Sequence, residues 1–161
     1  MPTQEHEVRI TPSVLDRLID EEPEVSREVP ATRQKSLLQL KQAVRRDLEW
    51  LLNSRQIIGE IPPDFRELLS SLATYGLPDF TAFNVKNPSD QNRMRRVVEE
   101  AIQLFEPRLM DVIVSLEPAA AAERSLHFRI DARLRVEPSP EPVVFDTTLH
   151  LYNGEYTVQS E

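Results

Sequence analysis

Glycoside hydrolysis needs two carboxyl groups held roughly 5–9.5 Å apart across a cleft. The acidic pairs to test in this chain are Asp47 with Glu49 and Glu99 with Glu100. Asp47 and Glu49 stand two residues apart in a helical pattern, about 200° round the axis, and adjacent residues diverge as well. Neither pair converges on one substrate, so both read as solvated helix faces. The three histidines, His6, His127 and His150, have no metal-ligand spacing. There is no cysteine, which removes disulfides and thiolate metal sites. Serine hydrolysis lacks its Gly-x-Ser-x-Gly anchor. With three glycines in the chain, no Gly-rich loop is available to cradle a phosphate. The expectation is a protein with no catalytic residue, no metal and no cofactor.

Two other constellations carry charge in unusual company. In "IQLFEPRLMDV", Glu106, Pro107 and Arg108 interrupt an apolar stretch. Proline ends a helix because it lacks an N–H and its ring clashes with the preceding turn. The two charges then have two readings. They are surface charges that pair weakly, or they form a rigid charged corner or a socket for a partner's carboxylate. Counting in twos from Met110 and Val112 puts Arg108 on the apolar side, where a guanidinium must find partners. In "VRRDLEWLLNSR", Arg46, Trp50 and Asn53 share a helix face by three-and-four spacing, apart from the leucine stripe. Arg and Trp are favoured at interface hot spots. The bland alternative is an ordinary amphipathic helix with a boundary tryptophan.

The bulk numbers bound what these residues serve. At 161 residues the chain is long enough for one ordinary core. A hydrophobic fraction of 40% against 29% charged residues reads as globular rather than disordered. A net charge of −8 disfavours nucleic acid and anionic membranes as partners. No apolar run approaches the roughly 18 residues that span a bilayer, and the polar first residues carry no visible signal peptide. The absence of cysteine is compatible with a reducing cytoplasm.

The elements follow from period and punctuation. Thr11 and Pro12 start a short helix with an apolar stripe of Val14, Leu15, Leu18 and Ile19, and Pro23 stops it. A linker leads to a long helix with Leu37, Leu40, Val44, Leu48, Leu51 and Leu52 at three-and-four spacing. This divides the chain into an extension, 1–33, and a domain, 34–161. A short helix from Phe65 to Leu72, capped by Asp64, is followed by a loop whose aromatics pin it to the core. Asn87 and Pro88 open another helix, with Met94, Val97, Val98, Ala101, Ile102 and Phe105 on one stripe. After Pro107 the period becomes two. Met110, Val112, Val114 and Leu116 share a face, as do Leu126, Phe128, Ile130, Ala132, Leu134 and Val136. A third strand carries Val143, Phe145, Leu149 and Leu151, with Arg133 expected opposite Asp146. Asn153-Gly154 signals a two-residue hairpin into a short fourth strand, Glu155 to Gln159. The fold class is α+β: N-terminal helices packed on a small antiparallel meander of three to four strands. A sheet that does not close leaves margins. Two strands are candidate edges, each guarded by a single charge: Leu109 to Leu116 by Asp111, and the third strand, with Val143, Phe145, Thr147, Leu149 and Leu151, by Asp146, although a fourth strand would partly cover the second.

Taken in order, "SVLDRLIDEEP", "VRRDLEWLLNSR", "YGLPDF", "EPRL" and "VVFDTTLHLYNGEYTV" resemble the TssE family of type VI secretion baseplate subunits. These are kin to the contractile-phage wedge protein long labelled lysozyme-like. The likeness runs over nearly the whole chain from Ser13. It implies a structural role in a bacterial cytoplasmic baseplate docked at a membrane, beside the wedge subunits TssF, TssG and TssK. It also implies contact with sheath subunits, whose polymerisation such proteins template by β-strand addition. Glu106, Pro107 and Arg108 fall on a motif associated with contacts inside the baseplate. No nucleic acid, membrane insertion or small-molecule substrate is implied. Two other readings stand beside it: a peptidoglycan hydrolase, from the old label, and a soluble anti-adaptor regulator of proteolysis, from a similar fold.

Overall fold

The computed structural model describes residues 10, 12–19, 32–57, 61–62, 64–80, 83–84, 86–117 and 125–160. Thr11, Pro23, Pro63 and most of the linker lie outside them. Helix α1 spans Val14–Leu18. Its cap is Ser13 rather than Thr11, with Pro12 before it: the Ser13 hydroxyl accepts from the Asp16 N–H at 3.1 Å, and the Asp16 carboxylate accepts from the Ser13 N–H at 3.3 Å. This reciprocal pair satisfies two donors that a helix start leaves open. Helix α2, Arg33–Asn53, is capped by Thr32 and buries Ala43, Val44, Leu48, Leu51 and Leu52. Leu37 and Leu40, expected on the same stripe, are half-buried at its outer end.

The helix expected over Phe65–Leu72 is one turn, α3 at Arg66–Leu69, followed by a 3₁₀ turn at Leu72–Thr74. Asp64 does not cap it. The physical reason is Ser71, whose hydroxyl donates to the Leu68 carbonyl at 2.8 Å and accepts from the Ala73 N–H at 3.2 Å. These local bonds compete with continued helix. Gly76, with φ at +105°, then lets the chain double back on the end of α2, where the Leu77 N–H donates to the Ser54 carbonyl at 2.8 Å. A Cβ on Gly76 would lie 2.5 Å from that same oxygen, so only glycine fits. Tyr75, Phe80 and Phe83 pack partly buried against the core, as the loop's aromatics suggested.

Helix α4, Pro88–Phe105, starts at Asn87, whose side chain accepts from the Ser89 N–H at 3.0 Å, and buries Met94, Val98, Ala101 and Ile102. Strands β1 (Leu109–Glu117), β2 (Ser125–Leu134), β3 (Glu141–His150) and β4 (Glu155–Ser160) form one antiparallel meander in sequence order. Its inner face holds Val114, Leu126, Phe128, Ile130, Leu134, Phe145 and Val158, packed on the apolar stripes of α2 and α4.

Four expectations about the sheet are corrected. In β1, Leu109 is buried and Met110 only partly so, because Asp111 and Val112 together face the single residue Ala132. This bulge, with Asp111 at φ +51°, resets the alternation that strict parity carries through. Arg133 stands opposite Pro142, and Arg129 takes the place opposite Asp146. Arg133 bonds instead to Asp111, its Nε 2.7 Å from the carboxylate. The β3–β4 turn has four residues, Leu151–Gly154, and only Gly154 has positive φ; Leu151 is exposed in the turn. Last, β3 is interior: β4 pairs along Phe145–His150, and Val143, Phe145, Thr147 and Leu149 are core residues. The margins are therefore β1 and β4.

Candidate partner interface at the helix–sheet corner

Pro107 stops α4, and the chain turns within three residues: the Leu109 N–H donates to the Glu106 carbonyl at 3.1 Å, and the Arg135 N–H to the Arg108 carbonyl at 2.8 Å. The turn brings Glu106 and Arg108 against α2. Glu106 is buried, with 4% of its surface exposed. Its carboxylate accepts from the Arg108 Nε at 2.7 Å and the Arg108 backbone N–H at 3.2 Å, and it also contacts Nη2. Arg108 Nη2 reaches across to Asp47 Oδ2 at 2.6 Å. The fork of a guanidinium suits this planar, two-sided recognition. The hydrogen bond to Glu106 raises the guanidinium's pKa above its ordinary value; burial opposes this and Asp47 adds to it. Arg108 reaches its partners from a turn, so the parity count is not what directs it inward.

Asp47 joins the corner to a second arginine. Its Oδ1 accepts from Arg46 Nε at 3.0 Å and Nη2 at 2.8 Å. Arg46 Nη2 also donates to Asp16 Oδ1 at 2.8 Å, which ties α1 to α2. The Arg46 guanidinium lies 5.0 Å from the Trp50 ring centroid, a cation–π contact. Burial works against the Asp16 charge, but hydrogen bonds from Ser13 and Arg46 hold its carboxyl below the usual range. Tyr75 borders the network, and burial first, then the Asp47 and Glu106 charges, raises its phenol.

Five of the six candidate interface residues thus meet in one place: Glu106, Pro107, Arg108, Arg46 and Trp50. Pro107 and Trp50 are the exposed members, Trp50 at 51%. Asn53 does not join them. Its carboxamide accepts from the Tyr156 N–H and donates to the Tyr156 carbonyl, each at 2.9 Å, so it fastens α2 to β4. Sequence reasoning missed Asp16 and undervalued Asp47, which looked like a solvated carboxylate; Arg46, one helical turn before Trp50 and next to Asp47, was the available hint. Asp47 and Glu49 do diverge, Asp47 toward the arginines and Glu49 toward the Val158 N–H at 3.3 Å. Glu99 likewise turns to the Val114 N–H at 2.9 Å, while Glu100 is exposed. Among the described residues no group of three His, Asp or Glu side chains is placed to hold a metal ion. Among those same residues, no helix is long and apolar enough to cross a membrane.

The chain belongs to the baseplate wedge protein gp25 family, whose model matches residues 38–139. A solved chain from Geobacter sulfurreducens, named a tail lysozyme, is 19% identical with a TM-score of 0.46, covering 74% of this chain and 94% of that one. No curated protein matches. Family membership makes this a structural protein of the phage-tail baseplate type, whose partners are other baseplate components.

Proposed function

We propose that this chain is a non-enzymatic structural subunit of a type VI secretion baseplate, located in the bacterial cytoplasm. It connects the wedge subunits TssF, TssG and TssK to the sheath and templates sheath polymerisation by β-strand addition. The observation that carries this reading is the family match over residues 38–139. The resemblance of "EPRL" and the C-terminal strands to TssE supports the finer assignment. Residues 34–161 act as the wedge-like domain and 1–33 as an extension whose helix α1 is tied to α2 through Asp16. The sheet of four strands with two margins supplies the backbone groups for strand addition.

At the corner, Pro107, Trp50 and the outer side of Arg46 form the contact surface, while Glu106 and Arg108 hold its shape. Trp50→Ala is expected to leave thermal stability unchanged and to reduce recovery of wedge subunits in affinity capture from host lysate at least about tenfold, as for a hot-spot tryptophan. Recovery of a protease adaptor in place of baseplate and sheath proteins would replace this reading with the regulator. Sustained lysis of purified cell walls, abolished by one Asp→Asn or Glu→Gln substitution, would replace it with the hydrolase.

A further inference from the structure

Neither margin of the sheet is bare. On β1, Glu99 accepts from the Val114 N–H at 2.9 Å, Arg95 donates to the Val114 carbonyl at 3.2 Å, and Gln103 donates to the Val112 carbonyl at 3.3 Å. On β4, Asn53 takes both backbone groups of Tyr156. Glu49 then accepts from the Val158 N–H at 3.3 Å, and Arg45 donates to the Val158 carbonyl at 3.4 Å. Each row steps by four along one helix: residues 95, 99 and 103 on α4, and 45, 49 and 53 on α2. Four helical residues rise about 6 Å. The outward backbone groups of alternate strand residues recur every 6.8 Å or so. The near match lets a helix lay polar side chains along a strand margin and occupy the groups a further strand would use.

We propose that the row Arg45, Glu49 and Asn53 is a displaceable cap, and that β4 is the margin where a partner's extended backbone joins. On this view the β1 margin stays shut. This rests on the strand-addition reading above and names its site. Three observations separate the margins. First, β1 carries the bulge at Asp111 and Val112, which disturbs the regular spacing of outward groups and guards an edge; β4 pairs with β3 without a shift from Glu155 to Ser160. Second, the β1 cap is braced within itself by an Arg95–Glu99 ion pair at 3.0 Å. Third, a cleft opens along β4, lined by Glu49, Asn53, Arg55, Gly154, Tyr156 and Thr157. A strand entering there would replace three side chains with a continuous ladder.

The test uses the full chain as its own probe. Glu49→Ala with Asn53→Ala uncaps β4; Glu99→Ala with Gln103→Ala opens β1, each pair leaving the arginine of its row in place. Sedimentation velocity over a wide concentration range is expected to show the β4-uncapped variant forming dimers through its free margin, with wild type and the β1 variant monomeric. Dimers from the β1 variant, or none from a β4 variant that circular dichroism shows folded, would overturn the proposal. Should the β4 variant unfold, amide exchange in the wild type decides. The Tyr156 and Val158 amides, held only by side chains, are expected to exchange about tenfold or more faster than Thr157, which β3 holds. Equal protection would overturn the displaceable cap. Affinity capture of wedge and sheath proteins tests the baseplate reading separately, since loss of that reading leaves the sedimentation result standing.

Discussion

Arg108 and Arg46 share one carboxylate and do different work. Asp47 offers Oδ2 to Arg108 at 2.6 Å and Oδ1 to Arg46 at 2.8 Å. Their side chains are equally exposed, at 26% each, so exposure does not distinguish them. Their partners do. Arg108 neutralises Glu106, whose side chain is only 5% exposed. Arg46 covers Trp50 and holds the short helix α1, where Val14 and Leu18 are 73% and 77% exposed. The inner arginine is part of the fold; the outer one fastens a peripheral element beside an exposed aromatic. Burial of the partner, not of the arginine, sets what each is worth.

The contrast is broken most severely by Arg108→Ala. Glu106 is then left buried without its cation, at a cost of about 3 kcal/mol or more, read as a lowered midpoint in urea. Arg46→Ala is expected to cost less than about 1 kcal/mol in the same experiment. Equal costs would mean that the two arginines do the same work. Asp47→Asn acts on both arginines at once while leaving the Glu106–Arg108 contact. Its expected cost is intermediate, about 1–2 kcal/mol, in keeping with charged hydrogen bonds.

A fourth change concerns buried polar groups without a partner among the described residues, the opposite of the corner. The hydroxyls of Thr147 and Tyr156 are buried among the described residues without a hydrogen bond, and burial pushes the Tyr156 phenol well above its ordinary range. Thr147→Val keeps the shape and removes the unsatisfied oxygen. It is expected to stabilise the protein by about 1 kcal/mol, a rise of a few degrees in Tm. A lowered Tm would show that the hydroxyl has a partner after all.

The smallest effect is local and depends on pH. The folded Asp16 carboxyl titrates below its unfolded range near about 3.9, so its pairing stabilises α1 above that range and is lost as pH falls through the folded value. Trp50 is the only tryptophan and lies against Arg46, so its fluorescence should change in this acid window before global unfolding. Arg46→Ala should abolish the early change. An early change that persists in that variant would assign it to another group.

Much of this was legible before any coordinates. Period and caps located α2, α4 and the strands, and the alternation from Leu126 to Leu134 gave the buried face of β2, because amphipathic spacing follows directly from which side meets the core. What failed were events involving a single residue. The bulge at Asp111 is invisible to a period count, since it turns on one residue with a left-handed backbone. Arg133 was misplaced by four residues because matching apolar faces fixes parity but not register. Ser71 shortened α3 through hydrogen bonds that helix propensity does not register. The side-chain caps on both margins were also hidden: Arg45 and Glu49 look like solvated helix positions, and Asn53 like part of a partner-facing patch, until β4 is laid alongside them. In the candidate site, Glu-Pro-Arg and Arg46 with Trp50 could be named from sequence, whereas the carboxylates joining them come from α1 and α2, separated from residue 108 by long stretches of chain.

The most direct measurement is a cryo-EM reconstruction of the assembled baseplate at side-chain resolution. Strand addition at β4 predicts a foreign strand bonded to Tyr156 and Val158, with Glu49 and Asn53 swung away, and Trp50 covered by a wedge subunit. A reconstruction with both caps intact and no foreign strand along β1 or β4 would contradict it.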